Sequence, residues 1–347
     1  MEAPRKILVV KNKHIGDIIL SQPAFWALHR AFPNAQLDVL ISPGTRELME
    51  GFPWIHNLLE TPRKTGVFQR LGRELQLAWM IATERYELFV DLTWSDRAML
   101  YAALSRARQR WAIQVTAGSF LKPYVYNNFG GKPDRAWHVI EHERQFLLKM
   151  GLPTCTPEFF FPETAAESAR IRSWLSQVGL QDTRLVVVHP TSRWLFKCWN
   201  DEKVAGLLDW LATEGWQPVL TSGPSDKEMS KAQRILAQAQ SKPHSRIGNL
   251  TLRELAALLR QAQFFFGIDS APMHLAAAVG CRAVVLFGPS QVNRWRPYGE
   301  NHVVITAECP CLALRQPACD KTKVMKCLDS ISLRQVQEAI TRNFRRA

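Results

Sequence analysis

The sequence predicts two α/β domains, each a doubly wound parallel sheet covered by helices. Three observations lead there. Short β-branched runs alternate with longer stretches of helical period, the mark of strand–helix–strand units. That alternation starts at residue 7 and restarts after residue 160. The chain has 347 residues, which suits two domains of about 100–200 residues each.

In chain order, residues 7–10, 37–41 and 88–92 read as buried strands, because their apolar runs are nearly continuous. Residues 21–31 and 68–84 carry helical spacing. Residues 158–163, with Pro162 and three phenylalanines, read as a linker or a crossing strand. A helix over 165–178 opens the second half, and strands follow at 185–189, 218–221, 264–267 and 283–287. Asn200 caps a helix with Val204, Leu207, Leu208 and Leu211 on one face. Thr251-Leu-Arg-Glu254 has the form of a capping box. A last helix covers 333–344. The expected division is 1–160, 161–330 and a terminal helical segment, 331–347.

Composition narrows the function. The net charge is +13, which favours phosphate-rich or anionic partners. The charge is spread along the chain, with no basic tail and no aromatic–basic platform, so nucleic acid is not expected. The opening residues lack a signal-peptide pattern, and no apolar run reaches the roughly 18 residues that span a bilayer. The chain reads as cytoplasmic, at most peripheral to a membrane. Four of its seven cysteines crowd between Cys309 and Cys327. Their spacing is not a standard zinc pattern, so a packed, reduced segment is preferred to a metal site.

In doubly wound sheets, ligands sit beyond the carboxyl ends of the strands. Two such domains facing each other are expected to make a cleft there. Lys11-Asn-Lys-His-Ile-Gly-Asp17 follows the first strand. Asp17 serves there either as a helix cap, which spacing alone favours, or as a base toward a hydroxyl. Lys11, Lys13 and His14 place positive charge beside it. After the strand 185–189, Thr191, Ser192 and Lys197 offer two hydroxyls and an ammonium to a diphosphate. After 218–221, Asp226 and Glu228 are carboxylates suited to ribose hydroxyls or to a first helical turn. After 264–267 comes Asp269-Ser-Ala-Pro-Met-His274, where Pro272 opens a helix whose free N–H groups attract an anion. No P-loop, dinucleotide glycine fingerprint, HExxH or helix-turn-helix pattern occurs.

These motifs, in this order over nearly the whole chain, resemble the lipopolysaccharide core heptosyltransferases, most of all those of the heptosyltransferase III type. The resemblance rests on the opening Lys6-Ile-Leu-Val-Val-Lys, Gly16-Asp17, Thr191-Ser-Arg with Lys197, and Gly267-Ile-Asp-Ser-Ala-Pro-Met-His274. It implies a glycosyltransferase B fold with two Rossmann-like domains and inverting transfer of heptose from ADP-heptose. The acceptor it implies is the lipopolysaccharide inner core on lipid A, at the inner membrane's cytoplasmic face. No cofactor or metal is expected. Residue by residue, Asp17 takes the place of the base and Lys197 that of a phosphate-binding lysine. Asp269, Ser270, Ala271 and His274 fall in the donor-sugar motif, and Glu228 in the ribose position. Lys11, Lys13, His14, Arg63 and Arg97 are the basic candidates for the anionic acceptor, with Lys64 and Arg70 beside them in the N-terminal half. The terminal helix is expected to cross back onto the N-terminal domain. Rival readings are another acceptor position, another nucleotide sugar, or a non-catalytic binder of anionic membrane.

Overall fold

The first half of the chain runs β1 (Lys6–Lys11), α1 (Ile15–Ala31), β2 (Gln36–Ile41), β3 (Asn57–Glu60), α2 (Val67–Thr83), β4 (Leu88–Asp91), α3 (Asp96–Ser105), β5 (Gln109–Ala112), α4 (Lys122–Val125), β6 (Asn128–Phe129) and α5 (Val139–Lys149). The second half runs α6 (Ala165–Gln177), β7 (Leu185–His189), α7 (Asp201–Thr213), β8 (Gln217–Ser222), α8 (Asp226–Gln238), β9 (His244–Ile247), α9 (Leu252–Gln261), β10 (Phe264–Ile268), α10 (Ala271–Ala278), β11 (Ala283–Phe287), α11 (Val292–Trp295), β12 (Val303–Thr306), α12 (Lys326–Ser330) and α13 (Leu333–Asn343). This is a computed structural model that describes residues 3–63, 66–114, 120–132, 134, 136–153, 156–161, 165–307 and 326–344. Cys309, Cys311 and Cys319 lie outside the described residues, as do Lys64 and Glu163.

The chain divides into two units, Met1–Pro162 and Glu163–Ala347. Each holds one six-stranded sheet, and every strand pair is parallel. The first sheet is ordered β3-β2-β1-β4-β5-β6 and the second β12-β11-β10-β7-β8-β9. Counted from its own first strand, the second sheet has the same order as the first, that of the doubly wound dinucleotide-binding fold. The strand order reverses between β1 and β4 in one unit and between β7 and β10 in the other. The loops leaving those four strands therefore diverge and open a crevice at each sheet's carboxyl edge.

The central strands are the apolar ones. Ile7 to Val10, Val186 to Val188, and Phe264 to Phe266 have essentially no exposed surface. Five strands escape the sequence reading: β3, β5, β6, β9 and β12. They are short edge or near-edge strands carrying polar residues, such as Gln-Arg-Trp-Ala in β5 and His-Ser-Arg-Ile in β9. Helix α1 begins at Ile15, earlier than the expected residue 21, and runs through Pro23. The capping box at Thr251 forms, and so does a second one at Ser332.

Within the second unit, the terminal helix α13 packs on α7 and β12. Val336, Ile340 and Phe344 are buried with Leu207, Leu211 and Phe264, and the Phe344 ring lies 4.4 Å from that of Phe264. The apolar stripe of α13 is satisfied there. Among the described residues, no helix is long and apolar enough to cross a membrane.

Candidate active site

In the first unit, β1 ends at Lys11 and, after three intervening residues, α1 begins at Ile15. His14, not Asp17, occupies the N-cap position. Asp17 is the third helical residue, half-buried, in the first turn where the helix dipole favours a carboxylate. Spacing had favoured the cap; the geometry assigns that position elsewhere.

Next to Asp17 is a buried ionic group. The Lys11 ammonium donates to Glu143 Oε1 at 2.7 Å and to the Leu92 carbonyl at 3.2 Å. The Ser21 hydroxyl lies 2.7 Å from the same carboxylate oxygen and 2.9 Å from the Asp17 carbonyl. Glu143 Oε2 is buried with no hydrogen-bond partner among the described residues. Burial pushes the Glu143 carboxyl up; Lys11 and Ser21 oppose that, and the charge of Asp17 adds to it. Lys11 was expected to meet the acceptor from a loop. It is instead a buried strand residue neutralised by Glu143 of α5.

Across the switch point, the loop after β4 is held by Asp91. Its carboxylate accepts from Thr93 N at 2.7 Å, Trp94 N at 3.0 Å and the Tyr126 hydroxyl at 2.6 Å. Trp94 adopts φ +59, a left-handed conformation rare for a bulky side chain and concentrated at functional sites. Asn12 N donates to Thr93 Oγ1 at 2.7 Å, tying the loops after β1 and β4 together. Lys13 and His14 are exposed. Arg97 is not a free cation, since it pairs with Glu74 at 3.3 Å. Arg63 is exposed without an ion-pair partner among the described residues. With Arg46, Arg73 and Gln76 it lines a pocket of about 400 Å³ beside β3.

In the second unit, the loops after β7 and β10 meet. Lys197, in a short 3-10 turn, donates to Asp269 Oδ2 at 2.6 Å. Ser290, after β11, donates to the same oxygen. Ser270 is the N-cap of α10, with Pro272 in its first turn, and His274 is buried within the helix. Lys197, Asp269 and the N-terminus of α10 thus share one end of the sheet. At Gly267, a Cβ would come 2.5 Å from the Phe265 ring and 3.0 Å from the His189 carbonyl, so a side chain there would force that ring to shift.

Beside them, Thr191 Oγ1 lies 3.4 Å from both Glu228 Oε1 and His189 Nε2. Ser225 donates to Glu228 Oε2 at 2.7 Å. A side chain at Gly223 would come within 2.6 Å of Glu228 Oε1, so the glycine keeps the carboxylate's place. Ser192 is buried and accepts from Trp194 N at 3.3 Å. His189 Nδ1 is 2.9 Å from Thr221 Oγ1. Burial pulls the His189 imidazole down to about 4, so it is neutral near pH 7.

Of the residues singled out in the sequence, Thr191, Ser192, Lys197, Asp269 and Ser270 lie between a strand and the next α-helix, and Glu228 lies in the first turn of α8. The sequence reading missed Glu143, Trp94, His189, Ser225 and Ser290. His189 and Ser290 had a usable signal, a polar residue at or just past the end of a strand. Glu143 had none, because it lies mid-helix, far along the chain from Lys11.

The fold and these loops define a class. Residues 128–327 match glycosyltransferase family 9 (heptosyltransferase), more than half of the 347 residues. The chain belongs to that family and is a glycosyltransferase of the glycosyltransferase B fold. It is 30% identical over 297 residues to lipopolysaccharide heptosyltransferase 3 of Escherichia coli strain K12, covering 83% of this chain and 84% of that one. It is 24% identical over 330 residues to lipopolysaccharide heptosyltransferase 1 of Pseudomonas aeruginosa, covering 90% and 87%. A family 9 glycosyl transferase from Veillonella parvula superposes with a TM-score of 0.85 at 23% identity, over 99% of this chain and 98% of that one. E. coli heptosyltransferase WaaC with ADP-2-deoxy-2-fluoro heptose superposes with a TM-score of 0.69 at 19% identity, over 97% and 99%.

Proposed function

We propose that the chain moves L-glycero-D-manno-heptose from ADP-heptose to the lipopolysaccharide inner core, adding the branch heptose as heptosyltransferases of type III do. It acts on lipid A-linked acceptor at the cytoplasmic face of the inner membrane, as a peripheral protein. The observation that carries the reading is the meeting of Lys197 and Asp269 at 2.6 Å beside the N-terminus of α10. A lysine ammonium beside the positive end of a helix dipole, at one strand-end crevice, suits a diphosphate.

In this mechanism Asp17 takes the proton from an acceptor hydroxyl. That oxygen bonds to the anomeric carbon as the bond to the diphosphate breaks, and configuration inverts. Lys197 and the α10 N–H groups stabilise charge growing on ADP. Asp269, held by Lys197 and Ser290, with Ser270, Ala271 and His274, surrounds the heptose and its phosphate. Glu228, with Thr191 Oγ1 3.4 Å from it, receives the ribose hydroxyls, and Ser192 faces the diphosphate with Lys197. Lys13, His14 and Arg63 meet the anionic acceptor. No metal or other cofactor takes part, so chelator leaves turnover unchanged. The test is donor choice: the purified protein, given an inner-core acceptor, releases nucleotide from ADP-heptose and not from ADP-glucose or UDP-glucose. Equal release from another donor overturns the reading.

A further inference from the structure

Helix α2 buries only one of its apolar sides. Leu77 and Ile81 enter the core with Leu8, Val10 and Phe89. Phe68, Leu71, Leu75 and Trp79 form a second apolar stripe at helical spacing, and all four are exposed, Phe68 by 90% and Trp79 by 70%. The stripe runs along about 16 Å of helix. Fully counted, aromatic side chains of this kind carry about 150–250 Å² each, so the two rings alone put roughly 300 Å² of apolar surface in water. With the leucines, that reaches the size at which a patch marks an interaction site.

The surface continues. Helix α3 packs against both α2 and α4. It carries exposed Leu100, and around α4 stand exposed Phe120, Leu121 and Tyr124. The charges on these elements are unbalanced. Glu74 is engaged by Arg97, Asp96 by Lys122 and Glu60 by Arg46. Arg63, Arg70 and Arg73 are exposed and have no ion-pair partner among the described residues.

We propose that the exposed face of α2, extended by α3 and α4, docks on an anionic lipid bilayer, with α2 lying in the plane of the membrane surface. A surface helix with aromatic and leucine residues along one side inserts that side shallowly at the headgroup boundary. The unpaired arginines match anionic headgroups. A partner copy of the chain would need acidic groups opposite these arginines, and the neighbouring acids are already engaged. This inference stands whichever sugar the chain transfers.

The test is co-sedimentation of the whole protein with vesicles of phosphatidylcholine alone or mixed equally with phosphatidylglycerol. The protein partitions onto the mixed vesicles, and less so in high salt. Combined substitution of Phe68, Leu71, Leu75 and Trp79 by serine weakens partition by about tenfold or more, while turnover of a water-soluble, deacylated acceptor is unchanged. The pair Phe68→Ser and Trp79→Ser is the second variant, should the fourfold one not fold. Equal partition of variant and parent overturns the proposal. So does a lipid-free dimer that the variant dissociates without loss of vesicle binding, which would make the face an interface between copies.

Discussion

Two carboxylates near the end of one sheet, Asp17 and Glu143, have opposite surroundings. Asp17 is half-buried on a helix's first turn, whereas Glu143 is buried against Lys11. The first suits proton transfer with substrate, the second suits support. Asp17→Asn is expected to lower kcat by about 10²–10⁴-fold, the range for loss of a general base, with ADP affinity little changed by calorimetry. Glu143→Gln leaves the Lys11 charge buried and unpaired. Urea denaturation should show a loss of about 3–5 kcal/mol. His189 gives a pH signature. Its folded value, about 4, lies below the ordinary 6.5, so the unfolded chain binds more protons between the two. The contribution is complete above about pH 6.5 and is lost as pH falls toward 4, about 3 kcal/mol in all. His189→Gln should flatten the stability profile over that window. At this scale the sequence disclosed positions better than roles. Asp17, Lys197 and Asp269 were legible because they follow strands. The Lys11–Glu143 pair was not, because its partners come from β1 and α5 and no local pattern joins them.

Among elements, legibility followed burial and capping. Central strands announce themselves by unbroken apolar runs, and helices with polar caps by their first turns. Edge strands gain their identity from one neighbour, so β5 and β9 carry little pattern of their own. Thr251→Ala removes an N-cap that accepts from Glu254 N at 3.1 Å and should cost about 1 kcal/mol, read from thermal unfolding. Helix α13 was legible as a helix from its amphipathic pattern. An amphipathic stripe states that it will be buried and not against what. Ile340→Ala opens a cavity in the second unit's core and should cost about 2–5 kcal/mol. Hydrogen exchange should then rise in α7 and β12, the elements α13 covers. Exchange confined to the first unit would contradict that packing.

For the whole molecule, one pattern used twice explains most of what was readable. The strand–helix alternation restarts mid-chain, and the two sheets share one strand order. That order places the diverging loops, and the candidate residues lie on them. What the pattern could not disclose is chemistry that joins distant loops, such as Lys197 with Asp269, or Ser290 with Asp269. The measurement closest to the central claim is the mass of a lipopolysaccharide inner-core acceptor lacking its branch heptose, after incubation with this protein and ADP-heptose. The account predicts a gain of one heptose, matched by release of ADP that depends on the acceptor. An unchanged acceptor mass, with folded protein and donor verified by a known heptosyltransferase, would contradict it.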